Sequence, residues 1–182
     1  RKLLLQGTPD AEMIVRRDLA TTIGLAIDNA AVNGTGSSNQ PRGILNLSGI
    51  GSVVGGTNGA APTWDHITQL EDALASANAQ VGSLAYLTNT AVRRKLKNTV
   101  KYTNTGTPVW EQGNQVNGYN AVITNQVPRT LTKGTASGVC SAIIYGNFAD
   151  LILAMWGALD VLLDPYTQST SGTIRIVMLQ SM

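Results

Sequence analysis

His66 is the only histidine of the chain and Cys140 its only cysteine. Any imidazole or thiolate chemistry would therefore rest on those two groups. A zinc-type site needs several His or Cys ligands at close spacing, and no second His and no Cys pair supplies them. A Ser-His-Asp triad would have to use His66, and no GxSxG elbow sets a nucleophile. His66 falls near the start of a helical pattern, where a lone His serves as a surface or first-turn residue. The stretches NGTGSSNQPRG (33–43) and GGTNGAAPT (55–63) are glycine-rich. Neither has the Lys-Ser/Thr of a phosphate loop or the spacing of a dinucleotide fingerprint. Asp160 and Asp164 share one face of a strand but read as turn and rim residues. Cys140, in the apolar run GVCSAIIYG, reads as a small buried hydrophobe. No nucleophile, base and metal converge, so no hydrolase, transferase or redox activity is expected. No catalytic, metal or cofactor-binding residue is assigned, and no cofactor is expected.

The remaining chemistry is charge. Arg93, Arg94, Lys95, Lys97 and Lys101 hold five of the thirteen basic residues, in a chain of formal net charge +2. Two readings stay open for them. One is the solvated face of a helix. The other is contact with a neighbouring subunit's acids or with nucleic-acid phosphates. Trp110, a bulky anchor in the polar segment 103–118, joins these five as a candidate intersubunit or nucleic-acid contact. A single-strand platform would interleave aromatics with the cations, and only Tyr102 lies near them. A nucleic-acid-binding domain using Arg93, Arg94, Lys95 and Lys97 is therefore the weaker alternative.

The elements that would position these groups are read from periodicity. Residues 10–33 predict a long amphipathic helix, with Val15, Leu19, Ile23, Ile27 and Ala30 on one inward face. Gly24 marks a close contact or a slight bend, and Asn33-Gly34 a left-handed stop. Thr63 caps a second helix carrying Ile67, Leu70, Leu74 and Ala77 inward. Ser83–Thr88 is a strand. Thr88 or Asn89 caps a third helix through about Asn98, with Val92 and Leu96 inward and the basic cluster outward. Residues 103–118 form a polar loop or hairpin arm, expected to be mobile in an isolated subunit. YNAVITNQVP is a strand and turn, TLTKGTASG a linker, SAIIYG a buried strand. Asn147 caps a short helix through about Leu153. GALDVLLDP and GTIRIVML are two further strands. Helices and strands follow each other without strict βαβ alternation, which favours α+β.

Composition fits association. Hydrophobic residues make up 43% of the chain, enough for a core, and charged residues 13%, about half the usual ~25%. A surface poor in charge lends itself to burial against other copies. No apolar run approaches the ~18–20 residues of a membrane helix, and the start has no signal-peptide core, so a soluble cytoplasmic origin is expected. The ends, Arg1 and Ser181-Met182, read as those of a fragment or processed product.

Seven phrases, in order, carry a resemblance. They are IVRRDLATTIGLAIDNAAVNGTGSSNQPRGIL, PTWDHITQLEDAL, LAYLTNTAVRRKLKN, GYNAVITNQVP, AIIYGNFADLIL, GALDVLLDPYT and TIRIVML. Each resembles a phrase of the tailed-phage major capsid proteins. Asn120 stands where that family usually has Pro, and Asn147 where it has Asp. The resemblance implies a prophage capsid protein fragment with the fold named after bacteriophage Hong Kong 97: α+β, a long spine helix, a peripheral lobe and an axial lobe on a central mixed sheet. It implies residues 1–54 as peripheral lobe with spine helix, 55–155 as axial lobe, and 156–182 as closing strands returning toward the peripheral lobe. It implies a coat protein that self-assembles into pentamers and hexamers of an icosahedral head around double-stranded DNA. Partners would be copies of itself, scaffold, portal and packaged DNA, with no membrane, and assembly would occur in the bacterial cytoplasm. Some members cross-link through a Lys of an extended loop, and no such Lys is assigned here. Encapsulins share the fold and stand as the alternative shell.

Overall fold

The structure is a computed structural model and describes residues 11–181. The expected helix start at Asp10 and the first ten residues of the expected peripheral lobe lie outside the described residues. Helix α1 spans Ala11–Asn33. Its stop differs from expectation, because neither Asn33 nor Gly34 adopts a left-handed conformation. Gly34 is required by proximity instead: a Cβ there would collide with the carbonyl oxygens of Pro41 and Ala30. The amide of Gly34 closes the helix on Ala30 O at 2.8 Å, and Gly43 N donates to Gly34 O at 2.8 Å. Asn46 Nδ2 then donates to the carbonyls of Asn33 and Gly34 at 3.1 and 2.8 Å. Residues 33–46 are thus folded back on the helix end.

The expected inward face of α1 is only half covered. Leu19, Ile23, Ile27 and Ala30 are half-buried, Val15 is exposed, and Val32 alone among the helix's described side chains is buried. Apolar residues also occupy other faces, with Met13, Ile14 and Leu25 open to solvent. Gly24 marks no close contact, since nothing lies within 4 Å of a Cβ built there.

A five-stranded mixed sheet forms the centre. Its strands are β1 (Leu84–Thr88), β2 (Trp110–Glu111), β3 (Gln115–Val116), β4 (Tyr119–Ile123) and β7 (Ile144–Asn147). The spatial order is β2-β3-β4-β1-β7. β1 and β4 run parallel with Tyr86 beside Ala121, while β7 pairs antiparallel to β1 with Tyr145 beside Tyr86. Helices α2 (Trp64–Ser76) and α3 (Thr90–Lys97) supply the apolar cover. Ile67 of α2 and Val92 and Leu96 of α3 enter one core with Tyr86, Val109, Trp110, Val116 and Ala121. Tyr86 beside Ala121 and Trp110 beside Val116 share one sheet face, as cross-strand partners do. On the opposite face Asn120 and Val122 are exposed. Ala77, expected inward, lies exposed past the end of α2.

Two smaller ribbons complete the chain. TLTKGTASG is not a linker: β5 (Leu131–Lys133) and β6 (Ala136–Cys140) form a hairpin there. Gly134 takes its left-handed position at φ 57°, where a non-glycine residue is disfavoured. SAIIYG provides an edge strand that is half-buried rather than buried. Asn147 caps a short 3₁₀ turn, Phe148–Asp150, and not a helix to Leu153. The last ribbon pairs β8 (Trp156–Asp164) with β9 (Arg175–Ser181).

Candidate assembly surfaces

Asn89 sets the position of the basic helix. Its Oδ1 accepts from the amides of Ala91 and Val92 at 3.0 and 3.1 Å, satisfying two orphan donors of the helix start. Its Nδ2 donates to the carbonyls of Val127 and Pro128 at 3.4 and 3.2 Å. The side chain is fully buried and uses its donors and acceptor at once. Thr88, the other expected cap, instead donates its hydroxyl to Ala142 O at 2.9 Å. With Val92 and Leu96 turned inward, Arg94, Lys95 and Lys97 are exposed and Arg93 is half-buried.

The other two candidate residues are turned to internal tasks. Lys101 pairs with Glu111 and lies 4.4 Å from the centre of the Trp64 ring. Trp110 is 3% exposed and belongs to the core. Pairing of Trp110 with Val116 across the β2–β3 hairpin turns both inward. Val109, Trp110 and Val116 are three buried anchors in the segment expected to be loose.

A polar clamp joins α2 to the β3–β4 turn. Glu71 Oε1 accepts from Tyr119 Oη and Gln80 Nε2, each at 3.2 Å, and Oε2 accepts from Asn117 Nδ2. With its oxygens engaged, Glu71 acts as a structural acceptor. Behind it Tyr86 and Tyr145 stack with ring centres 4.3 Å apart. The Tyr86 hydroxyl is buried without a hydrogen-bond partner. Burial, reinforced by the charges of Glu71 and Tyr119, pushes its pKa well above the ordinary tyrosine range. Burial likewise raises Tyr145.

The residues first considered for chemistry have structural roles. His66 closes a capping box, its Nδ1 accepting from Thr63 N at 3.1 Å. Cys140 is half-buried at the end of β6. Asp164 accepts from Thr167 Oγ1 and from the amides of Thr167 and Tyr166, which holds its carboxyl below the usual range. Among the described residues no cluster of three His, Cys, Asp or Glu could hold a metal, and no helix is long and apolar enough to cross a membrane.

The surface that sequence reasoning missed is the closing ribbon. On β8 and β9, Trp156, Leu159, Leu162, Leu163 and Leu179 are exposed, and just before them Ile152 is 86% exposed. The two strands were read from the chain, but their exposure was not, because a strand with large apolar groups on both faces looks the same in sequence whether or not other elements cover it. A cleft of about 250 Å³ separates Leu151–Trp156 from Ala31, Pro41, Ile44 and Leu47, so the ribbon's root adjoins the end of α1.

The chain is similar to known proteins in sequence and in fold. The "Major capsid protein" of Halomonas phage phiHAP-1 is 29% identical over 180 residues, which are 99% of this chain and 27% of that protein. The chain thus spans about a quarter of that relative's length. Among solved structures, the capsid of the empty GTA particle aligns with a TM-score of 0.73 at 18% identity, over 99% of this chain and 62% of that one. The capsid of the native GTA particle gives 0.63 at 19% identity, over 96% and 69%. These similarities give the Hong Kong 97-type α+β fold with its mixed central sheet. Residues 1–181 match the Phage capsid family, a family of structural proteins and not of enzymes. The chain belongs to the phage capsid family.

Proposed function

We propose that this chain is the two-lobed body of a major capsid subunit, which self-assembles into pentamers and hexamers of an icosahedral phage head around double-stranded DNA. Residues 1–54 are the peripheral lobe with its spine helix, 55–155 the axial lobe, and 156–182 the closing strands. The observation that carries this reading is the exposed apolar ribbon on a chain of that family. A two-stranded ribbon is at best marginally stable alone in water, and a contiguous apolar patch marks an interaction surface. Neighbouring subunits supply the missing cover. Copies of the chain are thus the first partners, with scaffold, portal and packaged DNA as further ones. The subunit resides in the virion after assembly in the host bacterial cytoplasm. An encapsulin-like shell would use the same fold, and the family match supports the phage head.

Sedimentation of the complete gene product, expressed with its neighbouring scaffold and portal genes, tests the reading. Fast-sedimenting particles of many copies are expected. A product that stays a single subunit across salt and scaffold conditions overturns it.

A further inference from the structure

The two helices over the central sheet carry opposite charge. Helix α2 contains Asp65, Glu71 and Asp72 and no Lys or Arg, whereas α3 contains Arg93, Arg94, Lys95 and Lys97 and no carboxylate. Glu71 is engaged in the clamp, leaving Asp65 and Asp72 exposed on one helix and Arg94, Lys95 and Lys97 exposed on the other. The two sets do not neutralise each other: among the described residues the ion pair is Lys101 with Glu111. Their placement explains why. Helix α2 contacts β7 and α3 contacts β2, the two opposite edges of the five-stranded sheet, while Trp64 at the start of α2 reaches Lys101 and Tyr102. One flank of the lobe is acidic and the other basic.

The helix dipole accounts for cations near the carboxyl end of α3 and for Asp65 in the first turn of α2. It does not account for Arg93 and Lys97, like charges at i,i+4 that work against the helix. A neighbouring carboxylate would remove that repulsion. Beside Lys97 lies an open recess of about 550 Å³ bounded by the β2–β3 hairpin at Gln112–Asn114 and by Glu111.

We infer that the α2 flank of one subunit docks against the α3 flank of the next, Asp65 and Asp72 facing Arg94, Lys95 and Lys97 in a head-to-tail contact between copies of this chain. Opposite patches on opposite flanks make a heterologous interface, which closes into a ring when the rotation allows. The charges set register and speed encounter, and rejection of wrong contacts follows from like-charge juxtaposition. This inference rests on the capsid reading and selects a second copy over nucleic acid as the occupant of the basic helix.

The test uses the complete gene product under conditions where the unaltered protein forms shells. Failure of that protein to form shells counts against the capsid reading itself. Zero-length carbodiimide coupling of intact shells should join Lys95 or Lys97 to Asp65 or Asp72 of an adjacent copy, read by mass spectrometry. Shells that give no such link overturn the inference, and this arm requires no variant to fold. Reversal of one flank, R94E/K95E/K97E or D65K/D72K, should raise the concentration needed for shell formation by ~10-fold or more. The two reversals combined should recover most of that loss. Shells forming normally with either reversal overturn the inference. Shells from the R94E/K95E/K97E protein that form normally but retain less DNA overturn it in favour of a phosphate contact.

Discussion

Asn89 and Tyr86 illustrate opposite fates of a buried polar group. Asn89 has its amide fully matched, with two amides on one side and two carbonyls on the other. Asn89→Ala should cost about 1–3 kcal/mol, the loss of a cap plus unpaired carbonyls. Asn89→Asp keeps the cap but sets a carboxylate against two carbonyl oxygens, and should be at least as harmful. Urea melts of both variants check this. Tyr86, by contrast, holds a hydroxyl with no partner at 1% exposure. Tyr86→Phe should leave stability unchanged or raise it by up to about 1 kcal/mol. Its folded-state pKa is raised, so the folded chain binds the proton more tightly than the unfolded one. Stability is then intact below the ordinary tyrosine pKa of about 10 and declines as pH rises beyond it. Thermal melts between about pH 9 and 11.5 should show a shallower alkaline decline in Tyr86→Phe. Parallel curves would contradict the buried hydroxyl. A polar cap at Thr88 or Asn89 was legible in the chain; which of the two served depended on β1 pairing with β7, which brings Ala142 O to the Thr88 hydroxyl. The burial of Trp110 was not legible, because apart from Pro108 and Val109 its neighbours in sequence are polar, and its pairing with Val116 on β3 appears only in the fold.

At the scale of elements, the glycines at the two ends of the α1 argument separate propensity from packing. Gly24 meets nothing, so Gly24→Ala should stabilise the helix by about 1 kcal/mol. Gly34→Ala drives a Cβ into two carbonyl oxygens and should destabilise by about 1–3 kcal/mol through forced backbone shifts. Circular dichroism melts of the two variants should move in opposite directions, and movement in the same direction would contradict this account of the helix end. The helices themselves were readable from spacing: Ile67, Val92 and Leu96 enter the core as the three-and-four pattern requires. The face of α1 was read as inward by the same rule, yet Leu19, Ile23 and Ile27 are only half covered. Periodicity identifies an apolar face but not whether its cover comes from the same chain. The β5–β6 hairpin escaped notice for another reason, since Thr, Lys and Ser blur the alternation that marks a strand.

At the scale of the whole molecule, the apolar surface left open on α1 and the β8–β9 ribbon indicates that a single copy does not complete its own burial. The order of seven phrases made the fold readable from the sequence, and the match of residues 1–181 to the phage capsid family bears out that resemblance. What the sequence could not disclose was which strands stay uncovered, because apolar runs look alike whether or not other elements cover them. The most direct measurement is cryo-electron microscopy of particles purified from cells expressing the complete gene product with its accessory genes. Closed shells of icosahedral symmetry are expected, with this fold in every subunit and Trp156, Leu162 and Leu179 buried against neighbours. Particles without closed symmetry, or shells whose subunits leave that ribbon facing solvent, would contradict the account.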